Sequence, residues 1–205
     1  MRRLRASVDF DCTLARTNDL VAELMNFRLG TTHLRPENWT RWDFFSSKEE
    51  EDAFWAAYDL MDRHGLRMCI RPQDAFTGNG LRWVVKTMDT TVVTGNHPSV
   101  ASDIARWLRD VLLFHHPLPV RCIGRPGTLS PQAGGSKLDL PFDVYLDDAP
   151  SIAAKIEQYP AKFLLLADAP WNREVPEGPQ VRRFRSWAEV PALLATASEH
   201  VRRHT

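Results

Sequence analysis

The chain has 205 residues, a length that suits one domain or a core domain with a modest insertion. Hydrophobic residues make up 43% and charged residues 25%, near the globular average, which excludes wholesale disorder. Lys plus Arg and Asp plus Glu number 26 each, which argues against holding polymeric nucleic acid through a basic surface but leaves room for a local phosphate pocket.

Three cysteines (Cys12, Cys69, Cys122) do not make a disulfide framework and fit a reducing compartment. No run approaches the ~20 apolar residues of a membrane span. Met1-Arg2-Arg3-Leu4-Arg5 leads into Asp9 and Asp11 rather than an apolar stretch, so a cytoplasmic protein with no membrane partner is expected.

Taken in chain order, Leu4, Ala6, Val8 and Phe10 share one parity and predict a strand over 4–10. Leu20, Val21, Leu24, Met25 and Phe27 recur at helical spacing and predict a helix over 18–28, stopped by Gly30. A polar, aromatic loop follows, from Arg35 to Phe45. Ser47 and Glu50 have the spacing of a capping box, and the helix behind them carries Phe54, Tyr58 and Met61 on one stripe and ends near Gly65.

Residues 66–80, with Pro72, Gly78 and Gly80, read as a connector, and Leu81, Val84, Val85 and Met88 as a short amphipathic helix. Thr90-Thr91-Val92-Val93-Thr94 is β-branched throughout, the pattern of a buried strand. Pro98 opens the next helix, with Val100, Ile104, Trp107, Leu108 and Val111 as its stripe. Strands are expected at 119–123, 142–146 and 163–166, and helices at 151–158 and 187–202, with a Gly/Pro/Ser loop over 124–136. The arginines at 182, 183, 185, 202 and 203 read as solvated charge.

Strands alternating with helices predict an α/β fold: a Rossmann-like parallel sheet with helices on both faces. Residues 17–73 break the alternation with helices alone and read as a small helical cap inserted after the first strand, on a core of 1–16 and 74–205. In open α/β sheets ligands sit at the carboxyl ends of the strands. Asp9, Asp11, Thr94, Asp147 and Asp148 all fall at such ends.

Each of these residues has an ordinary alternative. An Asp-x-Asp pair can be an N-cap or a solvated loop edge, Thr94 a strand-end threonine, and Lys137 a surface lysine. Four acidic groups at one sheet edge, however, repel unless a cation sits among them. Oxygen ligands of this kind suit Mg²⁺, and Lys137 after a small-residue loop can meet a phosphate as a point charge.

The stretches Ser7-Val8-Asp9-Phe10-Asp11-Cys12-Thr13-Leu14-Ala15, Thr91-Val92-Val93-Thr94-Gly95, Gly135-Ser136-Lys137 and Val144-Tyr145-Leu146-Asp147-Asp148-Ala149-Pro150 come in this order, each on its expected element. Together they resemble the four motifs of the haloacid dehalogenase superfamily of phosphatases, over nearly the whole chain. The resemblance implies Asp9 as the nucleophile that forms an aspartyl phosphate and Asp11 as general acid and then base. It implies Thr94, Gly95 and Lys137 around the phosphoryl oxygens. Mg²⁺ would be held by the Asp9 carboxylate, the Asp11 carbonyl and the Asp147-Asp148 pair, with Asp148 favoured as the direct ligand.

The helical insertion, Ala169-Pro170-Trp171-Asn172-Arg173 and Arg185-Ser186-Trp187-Ala188-Glu189 narrow the resemblance to the 5'(3')-deoxyribonucleotidases and their bacterial and phage relatives. That resemblance implies hydrolysis of (deoxy)nucleoside monophosphates. The alternatives are a phosphatase or mutase for a sugar or other small phosphate, and a pseudoenzyme that binds a phosphorylated ligand without turnover. The partner expected is a small phosphate ester, and a homodimer is left open.

Trp39, Trp42, Phe44 and Phe45 lie without helical or strand period around Arg41 and Asp43. They are candidates for stacking a flat base, or else they glue the cap helices together. His97, at a helix start, is a candidate phosphate contact or a solvated loop histidine. Cys12 stands where the family usually has glycine, so it either holds an ordinary backbone conformation or bears strain.

Overall fold

In the computed structural model, which describes residues 2–41, 43–124 and 136–205, the alternation at the start of the chain forms strand β1 (Arg5–Val8). It is followed by α1 (Thr17–Leu29), α2 (Lys48–His64), α3 (Thr77–Thr87) and β2 (Asp89–Thr94). Next come α4 (Ala101–Asp110), β3 (Val120–Cys122), β4 (Val144–Asp147) and α5 (Pro150–Ala153). The chain closes with β5 (Phe163–Ala167), β6 (Val181–Phe184) and α6 (Val190–His204).

The strands form one six-stranded sheet in the order β3-β2-β1-β4-β5-β6, and every described pairing is parallel. This is the expected α/β architecture, with helices on both faces.

The strand periodicity separates the two faces. Ala6, Val8, Val92, Val144, Leu146, Phe163 and Leu165 point into one apolar cluster with α3, α4 and α6. Val93, Tyr145, Leu164, Leu166 and Val181 point into a second, closed by Ile152 and Ile156. A parallel sheet buried on both faces needs apolar residues at both parities, and β5 supplies them as an unbroken buried run.

Val8 lies opposite both Val92 and Leu146, so the carboxyl ends of β1, β2 and β4 open on one edge. The backbone N–H of Asp9 donates to the Leu146 carbonyl at 2.8 Å, extending that register to the acidic residue itself.

Between β1 and β2, α1 packs along α2, and Val21, Met25, Ala57 and Met61 join the same cluster as Val8 and Val92. Both helices end on left-handed glycines, Gly30 (φ 63°) and Gly65 (φ 62°). Ser47 caps α2 by accepting from the Glu50 N–H at 3.2 Å. The Glu50 carboxylate returns to the N–H of Ser46, not of Ser47, so the box is displaced by one residue. No helix among the described residues is long and apolar enough to cross a membrane.

Several expectations change. The helix expected over 151–158 is split into α5 and a separate 3₁₀ turn, Ile156–Gln158. The third helix begins at Thr77, four residues before Leu81, and takes in both glycines assigned to the connector. A Cβ on Gly80 would stand 2.6 Å from Trp187 Cε3 and 2.7 Å from the Trp187 carbonyl, so the glycine is there for close packing. Arg183 is not solvated. It lies in strand β6 with its guanidinium buried, donating to Asp168 Oδ1, to the Asn172 side chain and carbonyl, and to the Val175 carbonyl. The final helix begins at Val190, and Trp187 ahead of it is buried in the core.

Candidate active site

At the shared edge the chain turns sharply after β1. The N–H groups of Leu14 and Ala15 both donate to the Phe10 carbonyl, and the Cys12 N–H donates to Ala15. Cys12 sits at φ 59°, in the left-handed region that favours glycine, so of the two conformations open to it the strained one is present. The turn is held from outside by Trp187, whose indole N–H donates to the Thr13 carbonyl at 2.8 Å while its own backbone N–H donates to Asp74. Trp107 anchors the other flank, donating to the Ile70 carbonyl with its ring edge against Phe10.

Asp9, Asp147 and Asp148 are all buried, and an oxygen from each lies within 4.8 Å of the others. The Lys137 ammonium bridges two of them, 2.6 Å from Asp9 Oδ1 and 2.7 Å from Asp147 Oδ2. Burial works against the lysine charge, but the Asp147 and Asp9 carboxylates outweigh it and raise the Lys137 pKa. Burial pushes the Asp9 carboxyl well above the usual carboxylate range. Lys137 pulls it down, and Asp147, Asp148 and Asp11 push it up again. The Asp148 carboxyl is pushed up to about 8, by burial first and then by the charge on Asp147.

Three buried carboxylates around one ammonium leave an excess of negative charge. An all-oxygen donor set of this charge fits a hard divalent cation such as Mg²⁺. The Asp147 oxygens are both engaged, by Lys137 and by the Ala149 N–H. Asp148 Oδ2 accepts from the Trp171 indole at 3.0 Å, whereas Oδ1 has only a long 3.5 Å contact from the Thr13 hydroxyl. The Asn172 amide fixes the same segment by donating to the carbonyls of Asp148 and Ala167, and Arg183 holds Asn172. Ala169-Pro170-Trp171-Asn172 is therefore a brace behind Asp148.

Asp11 stands apart from the acidic cluster, in a shell of donors. Oδ1 accepts from the Thr17 hydroxyl at 2.7 Å, and Oδ2 from the Asn96 amide at 2.5 Å and the Thr94 hydroxyl at 3.3 Å. The Arg67 guanidinium lies 3.6 Å from Oδ1. The Thr94 hydroxyl also accepts from the Asn96 backbone and side chain, so its described partners are Asp11 and Asn96. Gly95 sits at the bend after β2.

Of the described base-stacking candidates, Trp39 is buried, whereas Phe44 and Phe45 are half-exposed. Trp39 is only 3% exposed, with its ring 3.9 Å from Phe44 in a stacked pair and edge-on to Phe54. Phe44 and Phe45 both pack on Phe54. Non-periodic aromatics were recruited by one another and by α2, so Trp39 has no face to offer a base. Trp42 and Gly135 lie outside the described residues, as does most of the loop over 124–136. His97 is exposed, and its Nδ1 caps its own short turn against Ser99.

A cavity of about 260 Å³ does open beside the site, lined by Cys12, Asn18, Glu37, Gln73, Asp168 and Trp171 among others. Arg67, Asn96, Thr17 and Trp171 were not singled out as site residues by sequence. Only the Pro-Trp-Asn segment carried a signal, through its resemblance.

No protein-family model matches the sequence, and no curated protein matches it. Solved structures do. A haloacid dehalogenase-like hydrolase from Streptococcus pneumoniae superposes with a TM-score of 0.61 at 10% identity, over 94% of this chain and 98% of that one. A haloacid dehalogenase-like hydrolase from Xanthomonas campestris gives 0.57 at 12%, over 99% and 95%. CbbY from Rhodobacter sphaeroides, solved with phosphate, gives 0.54 at 15%, over 92% and 96%. At such identities a likeness speaks for architecture, and the architecture of this chain is the haloacid dehalogenase-like fold.

Proposed function

We propose that the chain is a phosphatase that hydrolyses phosphate monoesters through Asp9, with nucleoside monophosphates as its substrate class. The observation that carries the reading is the Asp9–Lys137–Asp147 bridge, with Asp148 within reach of the same point. A nucleophilic carboxylate, a fixed cation and a second, hydrogen-bonded carboxylate are what phosphoryl transfer needs at one strand edge.

In this reading the Asp9 carboxylate attacks phosphorus and the bond to the leaving oxygen breaks, giving an aspartyl phosphate. Asp11 delivers a proton to the leaving oxygen, then takes one from the water that attacks the intermediate and releases inorganic phosphate. Lys137 offsets the repulsion between carboxylate and phosphate dianion and stabilises charge on the transferring oxygens. Mg²⁺ held by Asp9, Asp148 and the Asp11 carbonyl would supply further positive charge to those oxygens. The less engaged Oδ1 of Asp148 supports it over Asp147 as the direct ligand.

The cavity beside Cys12 is the place for the leaving group. Trp171 gives it a flat wall, and Asn18 and Gln73 give it amide edges, a combination that suits a nucleobase. A second reading rests on the polar remainder of that lining. Asp19, Glu37 and Asp168 also suit sugar hydroxyls, and a structural neighbour, CbbY, was solved with xylulose bisphosphate. A screen of nucleoside monophosphates against sugar phosphates separates them. The nucleotide reading predicts the higher kcat/KM for nucleotides, together with a selective loss for Trp171→Ala on nucleotides relative to a small ester without a base. Preference for sugar phosphates would overturn it.

A further inference from the structure

Arg67 lies in the 3₁₀ turn Leu66–Cys69 between α2 and α3, and its side chain has 0% exposure. Burying a guanidinium is strongly unfavourable unless its charge is met. Its NH2 donates to Asp62 Oδ1 at 2.7 Å and to Asn96 Oδ1 at 3.1 Å. Its NH1 lies 3.6 Å from Asp11 Oδ1, too long for a hydrogen bond, and among the described residues neither NH1 nor Nε has a hydrogen-bond partner. The fork therefore faces Asp11 with charge and with donors to spare.

We propose that Arg67 is the positioning residue for Asp11, fixing how that carboxylate faces the leaving oxygen. The proposal rests on the phosphatase reading above.

Two routes connect them. One is direct, from NH1 to Asp11 Oδ1. The other runs through Asn96, whose Oδ1 accepts from Arg67 while its Nδ2 donates to Asp11 Oδ2. The guanidinium has only donors to offer, so it turns the amide oxygen of Asn96 toward itself and the amide nitrogen toward Asp11. Thr17 then completes Oδ1. Asp62, on α2, ties the arginine back to the inserted helices.

Lys137 takes no part in this network, since its described partners are Asp9 and Asp147. Among the described residues the site thus has two cations with separate duties. Lys137 serves the phosphoryl side, and Arg67 serves the side where the leaving group departs.

That division makes a specific expectation. Protonation of the leaving oxygen matters most for a poor leaving group such as an alkoxide and least for a nitrophenolate. Positioned general acids contribute about 10²–10⁴-fold, so losing the orientation of Asp11 should cost about tenfold or more on an alkyl ester beyond the loss on an aryl ester.

The test compares kcat/KM for p-nitrophenyl phosphate and glycerol phosphate in wild type, Arg67→Met, Arg67→Lys and Asn96→Ala, with Asp11→Asn as the reference. Arg67→Met should show the same leaving-group-selective loss as Asp11→Asn. Arg67→Lys should recover part of it, because charge returns without the fork. If Arg67→Met does not fold, Arg67→Lys and Asn96→Ala carry the same comparison. Equal losses on both esters would mean a merely structural arginine and overturn the proposal, as would no loss on either. Wild type inactive on every phosphate ester would instead sink the phosphatase reading, and this proposal with it.

Discussion

The charge at Asp9, Asp147 and Asp148 sets the behaviour of single residues. Asp9 and Asp148 have carboxyl pKa values raised by burial first and then chiefly by neighbouring charge, Asp148 to about 8. A carboxyl whose folded pKa exceeds its unfolded value holds its proton more tightly in the native state. Stability is then greatest at low pH and falls as pH rises from the unfolded value near 4 toward 8. A divalent cation that replaces those protons reverses the loss. The Tm increment on adding Mg²⁺ should therefore grow between pH 5 and pH 8 in a thermal-melt series, and an increment independent of pH would contradict the electrostatic account. Lys137→Ala removes the one described ammonium in this cluster and should lower kcat/KM by roughly 10²–10³-fold, the scale of losing one charge-stabilising donor. An unchanged kcat/KM would return Lys137 to the ordinary surface lysines. Cys12 is also pushed up, by burial and then by Asp148 and Asp11, so its thiol stays protonated at neutral pH. A thiol reagent on the native protein should label exposed Cys69 and leave Cys12 untouched; labelling of Cys12 at a comparable rate would contradict a thiol held protonated at neutral pH.

Among the elements, α3 and the Trp187 segment are coupled by Gly80. Alanine is favoured over glycine in a helix by about 1 kcal/mol, yet here the added Cβ meets a ring carbon and a carbonyl of Trp187 inside contact distance. Overpacking of this kind costs roughly 1–3 kcal/mol, so the clash outweighs the propensity. Gly80→Ala should lower Tm, at about 2–4 °C per kcal/mol for a chain of this size. A raised Tm would mean that Trp187 yields freely. This element also shows where sequence reading stops. The β-branched run of β2 and the apolar run of β5 declare themselves because a buried parallel strand needs those residues at both parities. Gly80 reads as part of a connector because its reason lies in Trp187, about a hundred positions away. Arg183 read as solvent-facing because an edge strand between charged neighbours has no apolar period, and its partners Asp168 and Asn172 follow a different strand.

Across the whole molecule, the parallel sheet does most to explain the site. It brings Asp9, Thr94 and Asp147 to one edge from positions far apart in sequence, and their placement at the ends of recognisable strands makes that edge legible in the sequence alone. The residues that tune the site are not legible there. Arg67 and Asn96 meet through tertiary packing, and no periodicity marks an arginine for burial. Trp39 shows the converse: a ring in a loop without period suggests a binding surface, whereas it is buried against Phe44 and Phe54. The central claim, that Asp9 is the nucleophile of a phosphoryl transfer, is tested most directly by hydrolysis of p-nitrophenyl phosphate with Mg²⁺ by wild type and Asp9→Asn, with folding of both checked by circular dichroism. The amide keeps the shape of the side chain and removes its nucleophilic charge, so the account predicts turnover by wild type and none above background by the folded variant. A folded Asp9→Asn protein with near-normal turnover would contradict it.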